Sequence, residues 1–227
     1  MRAAAFLLAL SALLAAPAQA MQMEILGDQI VMGGPVLQGD FAQFKKLIDW
    51  RGFRINVVVL KDSPGGIAQE GFSIAELIRQ QRLRTSVSGQ CYSACALIFL
   101  GGVQRGFAAE PPPDRNFVAF HGLYFADGRL ATDALAPSRE WISRFTDRRI
   151  DPTLVRIWSK LENMQDAVYF FDSARFKGPQ GASVFVCATE RSRGQRKQTC
   201  DPIPDTDGYE HGIFTTRQLT PMPPPRR

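Results

Sequence analysis

The sequence predicts a single α/β domain, and three observations lead there. Strand-like runs alternate with stretches of helical spacing, which calls for crossover connections between strands. The run Ile55-Asn56-Val57-Val58-Val59-Leu60 is almost continuously apolar and β-branched, as suits a strand buried in a parallel sheet. Glycine- and proline-containing breaks such as Gly33-Gly34-Pro35 and Ser63-Pro64-Gly65-Gly66 punctuate the alternation.

The elements follow in order. Asp28 to Met32 reads as a short strand. Gly39 to Asp49 places Phe41, Phe44, Leu47 and Ile48 on one helical face. After the strand at 55–60, Ala68 to Gln81 is helical again, with Phe72, Ala75, Leu77 and Ile78 apolar. Thr85 to Val87 is the next strand, and Ala94 to Leu100 begins a short buried helix. Phe117 to Phe120 is a strand that delivers His121 at its end. A loop rich in Gly, Asp and Ala (122–137) precedes a charged helix over 138–149. Asp151-Pro152-Thr153 starts another helix, with Asp151 as cap and Pro152 at the first helical position. Val168 to Phe171 and Ala182 to Ala188 read as strands. Residues 221–227, rich in Pro and Arg, read as a disordered tail. No internal repeat is visible.

The first residues stand apart. Met1-Arg2 is a short positive start, Ala3 to Ala16 is apolar and uncharged, and Ala18-Gln19-Ala20 is a small-x-small pattern. This reads as a secretory signal peptide, residues 1–20, cut after Ala20. The competing membrane anchor is disfavoured because the run is too short to span comfortably. A periplasmic or secreted location follows. The rest of the chain suffices for one domain with a sizeable core. The formal charge of +5 is scattered, apart from Arg191-Ser192-Arg193-Gly194-Gln195-Arg196-Lys197, which reads as a solvated loop. No recognised motif supports nucleic-acid binding.

Four cysteines in an exported chain suggest disulfides. Three pairings are possible. The economical one joins Cys187 to Cys200 across a polar loop and Cys91 to Cys95. The second is demanding, because bridged Cα atoms must lie within about 7 Å. Zinc is the rival, but His and Cys at zinc spacing are missing, so no metal site and no cofactor are expected.

The chemistry concentrates in Gly89-Gln90-Cys91-Tyr92-Ser93-Ala94-Cys95. A serine hydroxyl needs an imidazole base and donors for the oxyanion. Ser93 precedes an apolar helical stretch, so the Ala94 amide lies at a helix N-terminus. Gly65 and Gly66 let the backbone approach a substrate and offer a second amide. His121 is one of only two histidines. Taken singly, Ser93 is more often a helix cap, Pro64-Gly65-Gly66 a turn, and His121 structural. Their order together points to a serine hydrolase.

These motifs resemble the ClpP/crotonase superfamily, and the Clp protease proteolytic subunit in particular. The family pattern is Ser-Pro-Gly-Gly, then Gly-Gln-x-x-Ser-x-x-Ala ending in Gly-Gly, then a strand ending in His. The matching residues are Ser63 to Gly66, Gly89 to Ala94 with Gly101-Gly102, and Phe120-His121-Gly122. The resemblance implies a spiral of β-β-α units over residues 21–180, with residues 181–220 as a small C-terminal strand and loop extension. It implies Ser93 as nucleophile, His121 as base, and Gly66 and Ala94 as oxyanion donors. Asp166 is the expected triad acid by position, with Asp172 and Glu162 as alternatives. Cys91 and Cys95 depart from the family pattern on either side of the serine. A peptide or protein substrate and a possible homo-oligomer are implied, and export argues against an ATP-driven unfoldase partner.

The expected function is therefore an exported serine peptidase using a Ser–His–Asp triad or Ser–His dyad. The rivals are a catalytically inactive binding or assembly module of the same fold, and a Ser–Lys enzyme using Lys61 or Lys160. A crotonase-like coenzyme A enzyme shares the oxyanion hole but not the Ser–His pair.

Overall fold

The computed structural model describes residues 20–51, 54–125, 127–192 and 195–222. The expected signal peptide lies outside them apart from Ala20, as does most of the expected disordered tail. Among the described residues nine strands form one sheet, in the order β1-β2-β3-β4-β6-β7-β8-β9, with β5 beside β4. Helices connect the strands in the α/β manner expected.

β1 (Gln22–Leu26) and β2 (Gln29–Gly33) are antiparallel, and β2 runs parallel to β3 (Val57–Ser63). The first four residues of β3, Val57 to Leu60, are all buried, as their unbroken apolar character requires in a strand covered on both faces. Between β2 and β3 runs α1 (Asp40–Arg51), and between β3 and β4 runs α2 (Ala68–Gln80). α2 buries Gly71, Ile74, Ala75 and Ile78, one stripe at i, i+3, i+4 and i+7.

β4 (Arg84–Tyr92) is three times the length the sequence suggests and divides one edge between two partners. Thr85 to Val87 pair with β5 (Arg105–Phe107), and Gln90 to Tyr92 pair with β6 (Phe117–Phe120). The strand therefore runs directly into Ser93. α3 (Ala94–Leu100) follows at once, and all seven of its residues are buried. A helix apolar on every side has no solvent face to offer and becomes the centre of the core.

α4 (Leu135–Phe145) starts earlier and stops earlier than the expected 138–149. Asp147 and Arg148 take positive φ (55° and 57°), which cannot continue a right-handed helix. α5 (Pro152–Ser159) begins as expected: the Asp151 side chain accepts the Thr153 amide at 2.7 Å. β7 (Ala167–Phe171) returns antiparallel to β6.

Of the segment 191–197, expected as a loop, residues 191–192 end β8 (Val184–Ser192) and residues 195–197 begin β9 (Gln195–Pro202), where Arg191 pairs with Arg196 and Glu190 with Lys197, while residues 193–194 lie outside the described residues. Its polar composition hid an edge strand. Cys187 and Cys200 are direct partners in that ladder and form a disulfide, with Cα atoms 4.0 Å apart. Beyond β9 the chain returns to the core. Ile213 and Phe214 are fully buried, and the buried Arg105 guanidinium donates to the carbonyls of Gly102, Gly212 and Ile213. Those three acceptors are what make an arginine tolerable there. Burial lowers its pKa to about 10.

Candidate active site

Ser93 stands at the sharp turn between β4 and α3 with φ 59° and ψ −122°. That region is unfavourable for a side chain other than glycine's, and such strain persists only where the surroundings enforce it. Here they do. The Ser93 amide donates to the Ala119 carbonyl of β6 at 3.0 Å, and the Leu97 amide to the Ser93 carbonyl at 3.3 Å. The hydroxyl makes no capping bond to the helix, so the bland role of a helix cap is not the one it fills. The Cys91–Cys95 disulfide, with Cα atoms 5.2 Å apart, straps the two sides of the turn.

Gly65 packs against this turn, and Gly66 against Val36. A Cβ on Gly65 would lie 2.3 Å from the Tyr92 carbonyl oxygen, 2.6 Å from the Ser93 Cβ and 2.8 Å from the Ala94 nitrogen. A Cβ on Gly66 would lie 2.1 Å from the Val36 carbonyl oxygen. Val36 holds the strip from both ends: its amide donates to Gly65 and its carbonyl accepts from Ile67, at 2.8 and 2.9 Å. The amides of Gly66 and Ala94 donate to no backbone carbonyl among the described residues. Ala94 is the first residue of its helix, so its N–H has no acceptor within the helix.

His121 follows β6 directly. Its ring stacks between Tyr92 and Tyr124, with centroids 5.0 and 5.2 Å away. Burial lowers its pKa to about 4, and a backbone contact at Gly122 acts weakly the other way. Nδ1 is buried with no hydrogen-bond partner among the described residues. The ring is therefore neutral at pH 7.

Ser93, His121 and Gly66 all line one open cleft of about 480 Å³, together with Pro64, Tyr92 and Tyr124. On the inner side, Ser93 and His121 also border a cavity of about 20 Å³ walled by Phe72, Leu97, Phe120, Ile142 and Trp158. That volume holds about one water. Lys61 and Lys160 are exposed and line neither space.

Asp166 is buried, but its carboxylate accepts the Thr189 hydroxyl at 2.7 Å rather than His121, and it lines neither space. Burial raises the pKa values of Tyr92, Tyr124 and Tyr169, Tyr124 to about 12, and the nearby Asp166 charge adds to each shift. The Tyr92 hydroxyl donates to the Asp166 backbone carbonyl at 3.2 Å. Asp172 is engaged elsewhere, by Arg175, the Tyr209 hydroxyl and the Ala174 amide. Glu162 is exposed.

Sequence reasoning missed the tyrosines flanking His121 and the role of Val36. Tyr92 was visible beside the serine, and its aromatic character was the available signal. Tyr124 lies in an irregular loop and Val36 between elements, where no periodicity marks them.

No family model matches the chain, and no curated protein matches it. Among solved structures, a 1510-N membrane-bound stomatin-specific protease aligns with a TM-score of 0.45 and 15% identity, over 57% of this chain and 67% of its own. ClpP1 from Listeria monocytogenes, also solved as a point mutant, aligns with a TM-score of 0.45 and 12% identity, over 82% of this chain and 88% of its own.

Proposed function

We propose that this protein is an exported serine peptidase. Ser93 attacks the scissile carbonyl and His121 accepts its proton. The amides of Gly66 and Ala94 hold the oxyanion, an arrangement worth about 3–4 kcal/mol per donor in acyl transfer. Asp166 turns to the Thr189 hydroxyl and leaves His121 Nδ1 without a partner, so the machinery proposed is the Ser–His dyad rather than the full triad. The observation that carries the reading is the strained turn at Ser93, which turns an otherwise uncapped hydroxyl into the cleft that His121 shares. Two disulfides, and the lack of any helix among the described residues long and apolar enough to cross a membrane, are compatible with export.

One observation favours a second reading. The unpartnered Nδ1 of His121 leaves the imidazolium without the carboxylate that normally stabilises it. A module that keeps the fold but not the reaction fits that geometry.

A fluorophosphonate probe separates the two. The peptidase reading expects stoichiometric labelling that disappears in Ser93→Ala and falls sharply in His121→Ala. A folded, disulfide-intact protein that takes up no probe excludes it.

A further inference from the structure

A buried carboxylate at the start of α1 has no cationic partner. Asp40 and Met21 are both only 1% exposed. Asp40 Oδ2 accepts the Leu37 amide at 2.6 Å, and the Met21 amide faces the same carboxylate. Oδ1 is buried with no hydrogen-bond partner among the described residues. No ion pair among those residues involves Asp40. The carboxylate nearby, Glu70, is occupied by the amides of Gly39 and Phe41. Burial raises the Asp40 pKa, and the Glu70 charge adds to the shift. A lone buried carboxylate is costly, and a positive group beside it relieves the cost.

The peptide bond preceding Met21 is the one that Ala18-Gln19-Ala20 marks for removal of the leader. Ala20 is exposed while Met21 is buried, so the cut falls where the chain enters the fold. Hydrolysis there adds one water, with a signal peptidase as catalyst. The C–N bond breaks, the water oxygen joins Ala20 as its carboxylate, and the Met21 nitrogen gains protons to become an ammonium. A neutral amide facing Asp40 becomes a cation facing it.

We propose that Asp40 is the receptor for the α-ammonium of Met21, and that removal of residues 1–20 completes a buried ion pair joining the start of β1 to the start of α1. The proposal rests on the export reading for its cleavage site. The pair lies behind the catalytic turn: Asp40 holds the Leu37 amide, and Val36 beside it holds Gly65 and Ile67.

The test compares chains that begin at native Met21 with chains that retain Gly-Ser-Ala ahead of it, each with Asp40 or Asp40→Asn, all with disulfides intact. A buried pair predicts that the extension lowers Tm by about 5–10 °C for a chain of this size. The effect should vanish in the Asp40→Asn background. If Asp40→Asn does not fold, acylation of the Met21 amine by N-hydroxysuccinimide acetate carries the test. The folded chain should react at least about tenfold more slowly than the urea-unfolded chain, since each unit of raised amine pKa removes about tenfold of the free base. Equal Tm with and without the extension, or an amine as reactive folded as unfolded, overturns the pair. The mass of the exported protein's N-terminus tests the export reading separately, because the engineered chains report on Asp40 wherever the cell cuts.

Discussion

Acid should destabilise this protein through His121. The perturbation is a fall in pH from 7.5 to 4, compared in the parent and in His121→Gln. The unfolded imidazole titrates at 6.5 and the folded one near 4, because burial penalises the charged ring. Between those values the unfolded chain binds a proton that the folded chain does not. Stability contributed by the neutral ring is therefore complete above pH 6.5 and is lost as pH falls toward 4. From the two pKa values, the loss relative to pH 7.5 is about 2 kcal/mol at pH 5 and about 3 kcal/mol at pH 4. Other groups titrate in the same range, so the measured quantity is the difference between the two proteins. Urea unfolding monitored by tryptophan fluorescence, with disulfides intact, supplies it. The stability of His121→Gln should fall less with acid by those amounts. Parallel curves across this range would refute the buried neutral imidazole, and a carboxylate at Nδ1 would then be the better description.

Three further outcomes are expected. Ser93→Gly should abolish probe labelling yet raise stability by about 1 kcal/mol over Ser93→Ala in urea unfolding, because only glycine adopts φ 59°, ψ −122° without strain. Gly66→Ala should cost at least about 2 kcal/mol and suppress labelling, since its Cβ would meet the Val36 carbonyl oxygen at 2.1 Å, and thermal unfolding with probe uptake checks both. Replacing both Cys187 and Cys200 by Ser should cost about 3 kcal/mol from the loop they close, against about 2 kcal/mol for Cys91 and Cys95, in denaturant titration. Only the second pair should also slow labelling, because only it straps the Ser93 turn.

The α/β class and the order of the central elements were legible because their signals are local. Val57 to Leu60 declares a buried strand by composition, and Asp151-Pro152 declares a helix start by chemistry. The motif around Ser93 singled out the serine, His121 and the glycine strip by residue type and order, and the fold sets Ser93, His121 and Gly66 on one cleft. Strands that lack such patterns were not legible: β5 is three residues containing a glycine, and β9 is polar because it lies at the sheet edge. Only tertiary structure decided what surrounds His121. Tyr92, Tyr124 and Asp166 come from a strand end, a loop and the approach to β7, and nothing in their spacing states that two rings would enclose the imidazole while the carboxylate turns to Thr189. Sequence carries the identity of groups that act through their own backbone and neighbours. The desolvation that sets His121 near 4, like the burial that isolates Asp40, is a property of the whole packed core, and it exists only once the distant segments have met.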